Sequence, residues 1–91
     1  MPHPSKPPLP QDLEAALAVL IGDCFSEDAS LLHPETDLFA AGLDSMSTMH
    51  LIVAIEEKWG LTLPSEDLTS ENFQTISRLA ALLRLRSELA P

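Results

Sequence analysis

Gly42-Leu43-Asp44-Ser45-Met46-Ser47-Thr48-Met49-His50-Leu51-Ile52-Val53-Ala54-Ile55-Glu56-Glu57-Lys58-Trp59-Gly60 is the stretch that decides the fold. A polar loop gives way here to an apolar-periodic run. Met49, Ile52, Ile55 and Trp59 recur at three- and four-residue spacing, with Leu51 on the flank. That period predicts a helix from about Ser45 to Trp59, with these residues in the core. Gly60 suits the position just past its end, where a left-handed backbone is favoured. Met46, His50, Val53, Glu56 and Glu57 fall largely on other faces of the helix. Exposed apolar residues beside acids predict a contact surface there.

Two further helices follow from the flanks. Leu13, Leu17, Leu20, Ile21 and Cys24 share one face of a segment from about Gln11 to Phe25, and Asp12 and Glu14 suit its first turn. Ile76, Leu79, Ala80, Leu82 and Leu83 supply the apolar face of a helix from about Thr75 to Glu88. Between the first and second helices lies a long polar loop, Ser26 to Asp44, containing Pro34 and Gly42. Long ordered loops in small domains often carry function. Leu31, Leu32, Leu38 and Phe39 are expected to tack it to the core, with Leu38 and Phe39 in a short helical turn. Leu61-Thr62-Leu63-Pro64 reads as an extended link, because Pro64 biases Leu63 away from helix. Residues Ser65 to Phe73 allow one or two short turns. The expectation is an all-α bundle of three main helices and a short fourth.

Composition supports this class. Aromatics are 4% of the 91 residues, so the core must be mostly Leu, Ile, Val and Ala. Tyrosine is absent and glycines number three, which argues against a turn-rich β fold. Met1 to Pro10 holds five prolines and reads as a disordered or polyproline-like tail. The folded domain is placed at residues 11–88, with a C-terminal tail at 89–91. The formal net charge of −9 disfavours nucleic acid and anionic lipid as partners. It favours basic patches on proteins instead. From Ser26 to Asp44 there are five acids and no Lys or Arg, an acidic surface around Ser45. Arg78, Arg84 and Arg86 read most simply as a solvated face near a helix C-terminus. Cys24 is the one cysteine, so neither a disulfide framework nor a cysteine metal site is expected. The histidines, His3, His33 and His50, lack ligand spacing. Neither a signal-peptide core nor a transmembrane run is present, and a reducing cytoplasm is the default expectation.

Ser45 is the candidate site. A helix N-terminus is suited to a phosphate, because free N–H groups point outward and the macrodipole favours negative charge. On position alone Ser45 also fits a simple N-cap serine. The chain offers it no obvious general base, which argues for a serine that is modified rather than a nucleophile. No Ser-His-Asp set or Gly-rich phosphate loop is apparent, and a bundle of this size has little room for a closed pocket. Gly42 fits a loop backbone that a side chain would obstruct, and equally an ordinary loop glycine.

The run Asp37-Leu38-Phe39-Ala40-Ala41-Gly42-Leu43-Asp44-Ser45-Met46 resembles the prosthetic-group site of acyl carrier and peptidyl carrier proteins. The likeness continues through Ile55-Glu56-Glu57-Lys58-Trp59-Gly60-Leu61-Thr62-Leu63-Pro64 and covers about Gln11 to Leu85. It implies a four-helix carrier fold. It implies that a phosphopantetheinyl transferase moves 4′-phosphopantetheine from coenzyme A onto Ser45. The thiol ending that arm would hold an acyl or aminoacyl group as a thioester for partner enzymes. By the same likeness Asp44 contacts the transferase or its metal, and Met46, His50, Val53, Glu56 and Glu57 form the partner face. Fatty-acid-type carriers have acids two and five positions after the serine, where this chain has Ser47 and His50. The segment Leu63 to Phe73 looks more like separate aminoacyl or peptidyl carriers. The implied function is a discrete, monomeric carrier loaded by an adenylating ligase and unloaded by an acyl-transferring or acyl-modifying enzyme. A fatty-acid or polyketide-type acyl carrier is the alternative, and a helical interaction module without the arm is a further one.

Overall fold

The computed structural model describes residues 9–25 and 32–89. They form three helices: α1, Leu13–Phe25; α2, Ser45–Trp59; and α3, Ile76–Leu89. A single 3-10 turn, Ser65–Asp67, stands where a short fourth helix was expected. No strand occurs among the described residues. The all-α class therefore holds, with the fourth element reduced to one turn.

Each helix begins where a side chain caps it. Asp12 Oδ1 accepts from Ala15 N at 3.0 Å, so Asp12 caps α1 rather than belonging to its first turn. Thr75 Oγ1 accepts from Arg78 N at 3.1 Å and caps α3. At the other end of α2, Gly60 stops the helix with φ 67°, and its N–H donates to Glu56 O at 2.8 Å.

The α1 helix packs against both α2 and α3. Leu13, Leu17 and Ile21 meet Leu51 and Ile55 from α2 and Ile76, Leu79 and Leu83 from α3, all fully buried. Each fully buried Leu or Ile contributes roughly 1.5–3 kcal/mol relative to exposure. Trp59, Leu61, Leu63 and Phe73 close the cluster, and Leu82 joins it. Leu20 and Cys24 sit half-buried at its edge, as does Leu9 from the segment read as a tail. Burial, and then the neighbouring Asp23, push the Cys24 thiol above its ordinary range.

Three expectations are corrected. Met49 is 64% exposed, not core. The buried stripe is Leu51, Ile55 and Trp59, and at 100° per residue Met49 falls about 120° from its centre. Phe39 is also exposed, while its neighbour Leu38 is fully buried. Finally, Arg86 is not a solvated cation: it forks onto Asp67. The predicted anchor Leu31 lies outside the described residues, whereas Leu32 is buried as expected.

Candidate functional site

Ser45 owes its position to the loop before it. Leu38 and Leu43, both buried, bracket a tight turn. Asp37 Oδ1 accepts from Phe39 N at 3.0 Å and from Ala40 N at 3.2 Å. Ala41 N donates to Asp37 O and Leu43 N to Leu38 O. These bonds make a turn over residues 38–42 but do not extend into a helix. Gly42 leaves the turn at φ 121°, a backbone region that side-chain-bearing residues rarely enter. Two backbone bonds tie the loop to the start of α3: Leu38 N to Gln74 O at 2.8 Å, and Ser77 N to Pro34 O at 2.9 Å.

The chain then enters α2 through Asp44, which is extended at φ −123°, ψ −174°. Asp44 Oδ1 accepts from Ser47 N at 2.8 Å, satisfying one of the helix's orphan donors. Asp44 is thus the N-cap, and Ser45 is the first helical residue rather than the cap. The Ser47 N–H, with the Ser47 hydroxyl second, holds the Asp44 carboxyl below the ordinary carboxylate range. Asp44 therefore stays ionised beside Ser45. Thr48 turns its hydroxyl inward to Asp44 O at 2.7 Å. Ser45 itself is exposed. The first turn of α2 contains no acidic residue.

Two depressions flank the Ser45 hydroxyl. One is an open groove of about 490 Å³ between the start of α2 and the segment Leu68 to Phe73. Phe39, Leu43, Met49, Ile52 and Leu68 give it an apolar lining, with Thr48, Thr69 and Ser70 among its polar members. The other, of about 330 Å³, is lined by Ser45, Met46, Met49, His50 and Val53. Ser45 and Met49 line both. Of the seven large exposed hydrophobic residues among the described ones, Phe39, Met46, Met49, Val53 and Leu68 all line one or other depression.

The structure gathers Met46, His50 and Val53 on the exposed side of α2 and puts Glu56 and Glu57 toward its far end. Glu56 is not a free charge, because its Oε2 accepts from Thr62 Oγ1 at 3.0 Å. Sequence reasoning left out Met49, Phe39 and Leu68 as exposed lining. Spacing alone gave no signal for Met49, because Met49-Ile52-Ile55 is itself a helical series. Among the described residues, no group of three or more His, Cys, Asp or Glu side chains is placed to hold a metal. No helix among them is long and apolar enough to cross a membrane.

Residues 13–83 match the family model described as the phosphopantetheine attachment site. The chain belongs to the phosphopantetheine carrier proteins. A D-alanyl carrier protein of Streptococcus suis (strain 05ZYH33) is 36% identical over 69 residues, covering 75% of this chain and 86% of that one. A second, from strain 98HAH33, is 32% identical over 68 residues with the same coverage. The fold is that of a holo acyl carrier protein from Nitrosomonas europaea, solved in solution: TM-score 0.76, 22% identity, 86% of this chain and 99% of that one. The cofactor of this carrier is 4′-phosphopantetheine, held covalently. The chain is a carrier and not a catalyst, and it meets a phosphopantetheinyl transferase and acyl-handling enzymes.

The geometry at α2 fits such a group. An exposed hydroxyl on the first helical residue leaves room for a phosphodiester, and the macrodipole offsets part of its charge. When attached, the arm supplies a terminal thiol that holds cargo as an electrophilic thioester. The chain's own residues do simpler work: Asp37 and Asp44 fix the backbone, the Ser45 side chain stands exposed, and the apolar groove lies beside it.

Proposed function

We propose that Ser45 carries the phosphopantetheine arm and that the cargo is a small amino acid. One observation carries the site assignment: the Ser45 hydroxyl stands exposed on the first residue of a helix capped by Asp44, between two depressions. Support for the aminoacyl cargo comes from the names of the Streptococcus suis relatives, D-alanyl carrier proteins. The acid-free first turn of α2, with Ser47 and His50 in place of carboxylates, points the same way.

In this reading the carrier acts as a separate monomer. An adenylating ligase loads it, and a downstream acyl-transferring or acyl-modifying enzyme receives the cargo. Both dock over Met46, Met49 and Val53, with His50 beside them. Glu57 supplies a rim charge at the far end, and Glu56, already bonded to Thr62, contributes less. Asp44 and Gly42 serve the transferase step by fixing the approach to Ser45.

A second reading is an acyl chain as cargo, favoured by the apolar lining of the 490 Å³ groove. The test is intact mass after incubation with coenzyme A, magnesium and a broad-specificity phosphopantetheinyl transferase. One arm on the native chain and none on Ser45→Ala is the expected result. The holo chain is then offered to D-alanine-activating and fatty-acid-activating ligases in parallel. Loading by the first and not the second supports the aminoacyl reading; the reverse selects the acyl one.

A further inference from the structure

Between Pro64 and Asn72 the chain runs over the surface, and Asp67 is its one buried side chain. Such a segment is normally anchored by an apolar residue. Here a carboxylate does that work. Arg86, one turn from the end of α3, forks onto it: Nη2 donates to Asp67 Oδ1 at 2.8 Å and Nε to Oδ2. A bidentate Arg–carboxylate fork fixes orientation as well as distance. Glu66 lies 3.5 Å from the same guanidinium on its outer side.

From Asp67 the fixed geometry propagates along the backbone. Asn72 Nδ2 donates to Asp67 O at 2.9 Å, and so does Thr69 N. Asn72 N donates to Thr69 Oγ1 at 3.1 Å, and Phe73 N to Thr69 O. Residues 67–73 are therefore one hydrogen-bonded unit, held to α3 by the Arg86 fork and, more loosely at the exposed surface, by Arg78 Nη1 donating to Glu71 Oε1 at 3.4 Å. That unit contributes Leu68, Thr69, Ser70 and Phe73 to the groove beside Ser45. No residue of the fork touches Ser45 or lines the groove.

We infer that the Asp67–Arg86 fork is a positioning device for the carrier site: it sets the stance of the Leu68–Phe73 side of the groove, and through it the surface that partner enzymes meet around Ser45. The claim about partners rests on the reading that Ser45 bears the arm. The claim about the groove does not. Leu68 follows Asp67 directly, so a lost fork moves the groove's exposed apolar rim before it disturbs the core. Phe73 and Leu63, both buried, hold the segment's two ends in place.

The experiment uses the full chain with Asp67→Asn, Arg86→Gln, the double variant, and Leu82→Ala. Leu82 is a buried α3 residue that lines neither depression at Ser45, so it controls for lost stability. In the Asp67→Asn variant Glu66 remains beside Arg86, which keeps the cation partnered. The first readout is the amide shifts of Leu68, Thr69, Ser70 and Phe73 in the chain without its arm. They are expected to move in both fork variants and not in Leu82→Ala. The second is arm addition by the transferase with coenzyme A. The KM for the carrier is expected to rise at least five-fold in either fork variant, with kcat within two-fold. The double variant is expected to be no worse than either single one. Unmoved amide shifts in the fork variants overturn the inference, whatever Ser45 does. A KM rise in Leu82→Ala equal to that in Asp67→Asn also overturns it, by showing a plain stability effect.

Discussion

Replacing Gly42 with alanine tests how the chain delivers Ser45 to the helix start. Gly42 sits at φ 121°, and beyond its own chain neighbours no atom lies within 4 Å of where a Cβ would be. A methyl group there meets open space, so the whole cost is local backbone strain. Holding a non-glycine residue in such a region costs of order 1–3 kcal/mol. The matched domain, residues 13–83, has about 70 residues, and an unfolding entropy of about 2 cal/mol/K per residue gives roughly 0.15 kcal/mol/K in all. The strain then lowers the melting temperature by about 7 °C at the lower end of that range and about 20 °C at the upper. The alternative for the chain is to relax the turn. That loosens the Leu43 N to Leu38 O bond and tilts the entry to Asp44.

Gly60→Ala is the matching control. Gly60 also has positive φ, 67°, and alanine there costs about 1–2 kcal/mol, but it lies at the opposite end of α2 from Ser45. Thermal melts give the stability of both variants. Arm addition is then timed by intact mass at a temperature where both are more than 95% folded. Gly42→Ala is expected to lose stability and to take the arm more slowly. Gly60→Ala is expected to lose stability alone. A Gly42→Ala melt within about 2 °C of the native chain, or equal arm-addition rates for the two variants, would refute the reasoning.

The remaining predictions concern the site's chemistry, its partner face, its acid response and its core. Ser45→Ala is expected to take no arm while melting within about 2 °C of the native chain, since an exposed first-turn residue with no capping bond carries little stability. Met49→Glu is expected to leave the melt unchanged and to raise the KM of a loading enzyme at least ten-fold; an unchanged KM would remove Met49 from the contact surface. The Asp44 and Asp67 carboxyls are both held below their ordinary range, Asp44 by Ser47 and Asp67 by Arg86. A folded-state pKa below the unfolded value gives stability that is present above about pH 4 and is lost as pH falls through the folded value. Asp67→Asn is therefore expected to flatten the loss of melting temperature between pH 7 and pH 3, compared with the native chain. An equal loss in both would count against the pairing. Ile55→Ala, at a fully buried position facing α1, is expected to cost about 2–5 kcal/mol in urea denaturation and to leave no stable native state if the domain's total is near the low end of its class.

The fold was legible wherever one face of a helix had to be dry. α1, α2 and α3 begin and end within about two residues of the positions that apolar spacing predicts, because burial of Leu17, Leu51, Ile55 and Leu79 admits only that register. Met49 was misread because spacing alone does not locate the centre of a stripe. Met49-Ile52-Ile55 and Leu51-Ile55-Trp59 are both helical series, and only the position of the other helices chooses between them. Phe39 was misread for a related reason. In a loop of mixed polarity, hydrophobicity says that some side chain is an anchor, and the turn set by Asp37 decides that Leu38 faces in and Phe39 faces out.

The Asp67–Arg86 fork was not legible at all. Its partners are 19 residues apart on different elements, and no local period links them. An acid in a short polar turn and an arginine near a helix end each read as solvated when taken singly. Only the return of α3 beside the 3-10 turn makes them a pair, so the contact belongs to the topology and not to either segment. This has a consequence for how such a carrier varies. The Asp44 cap, the Gly42 turn and Ser45 lie within four consecutive residues, so they are specified together by local sequence. The opposite side of the groove is specified by two distant residues that must change together. Recognition of different partners is thus adjusted more readily at the groove's rim, through Leu68 and the fork behind it, than at Ser45, where any change of backbone also moves the residue proposed to bear the arm.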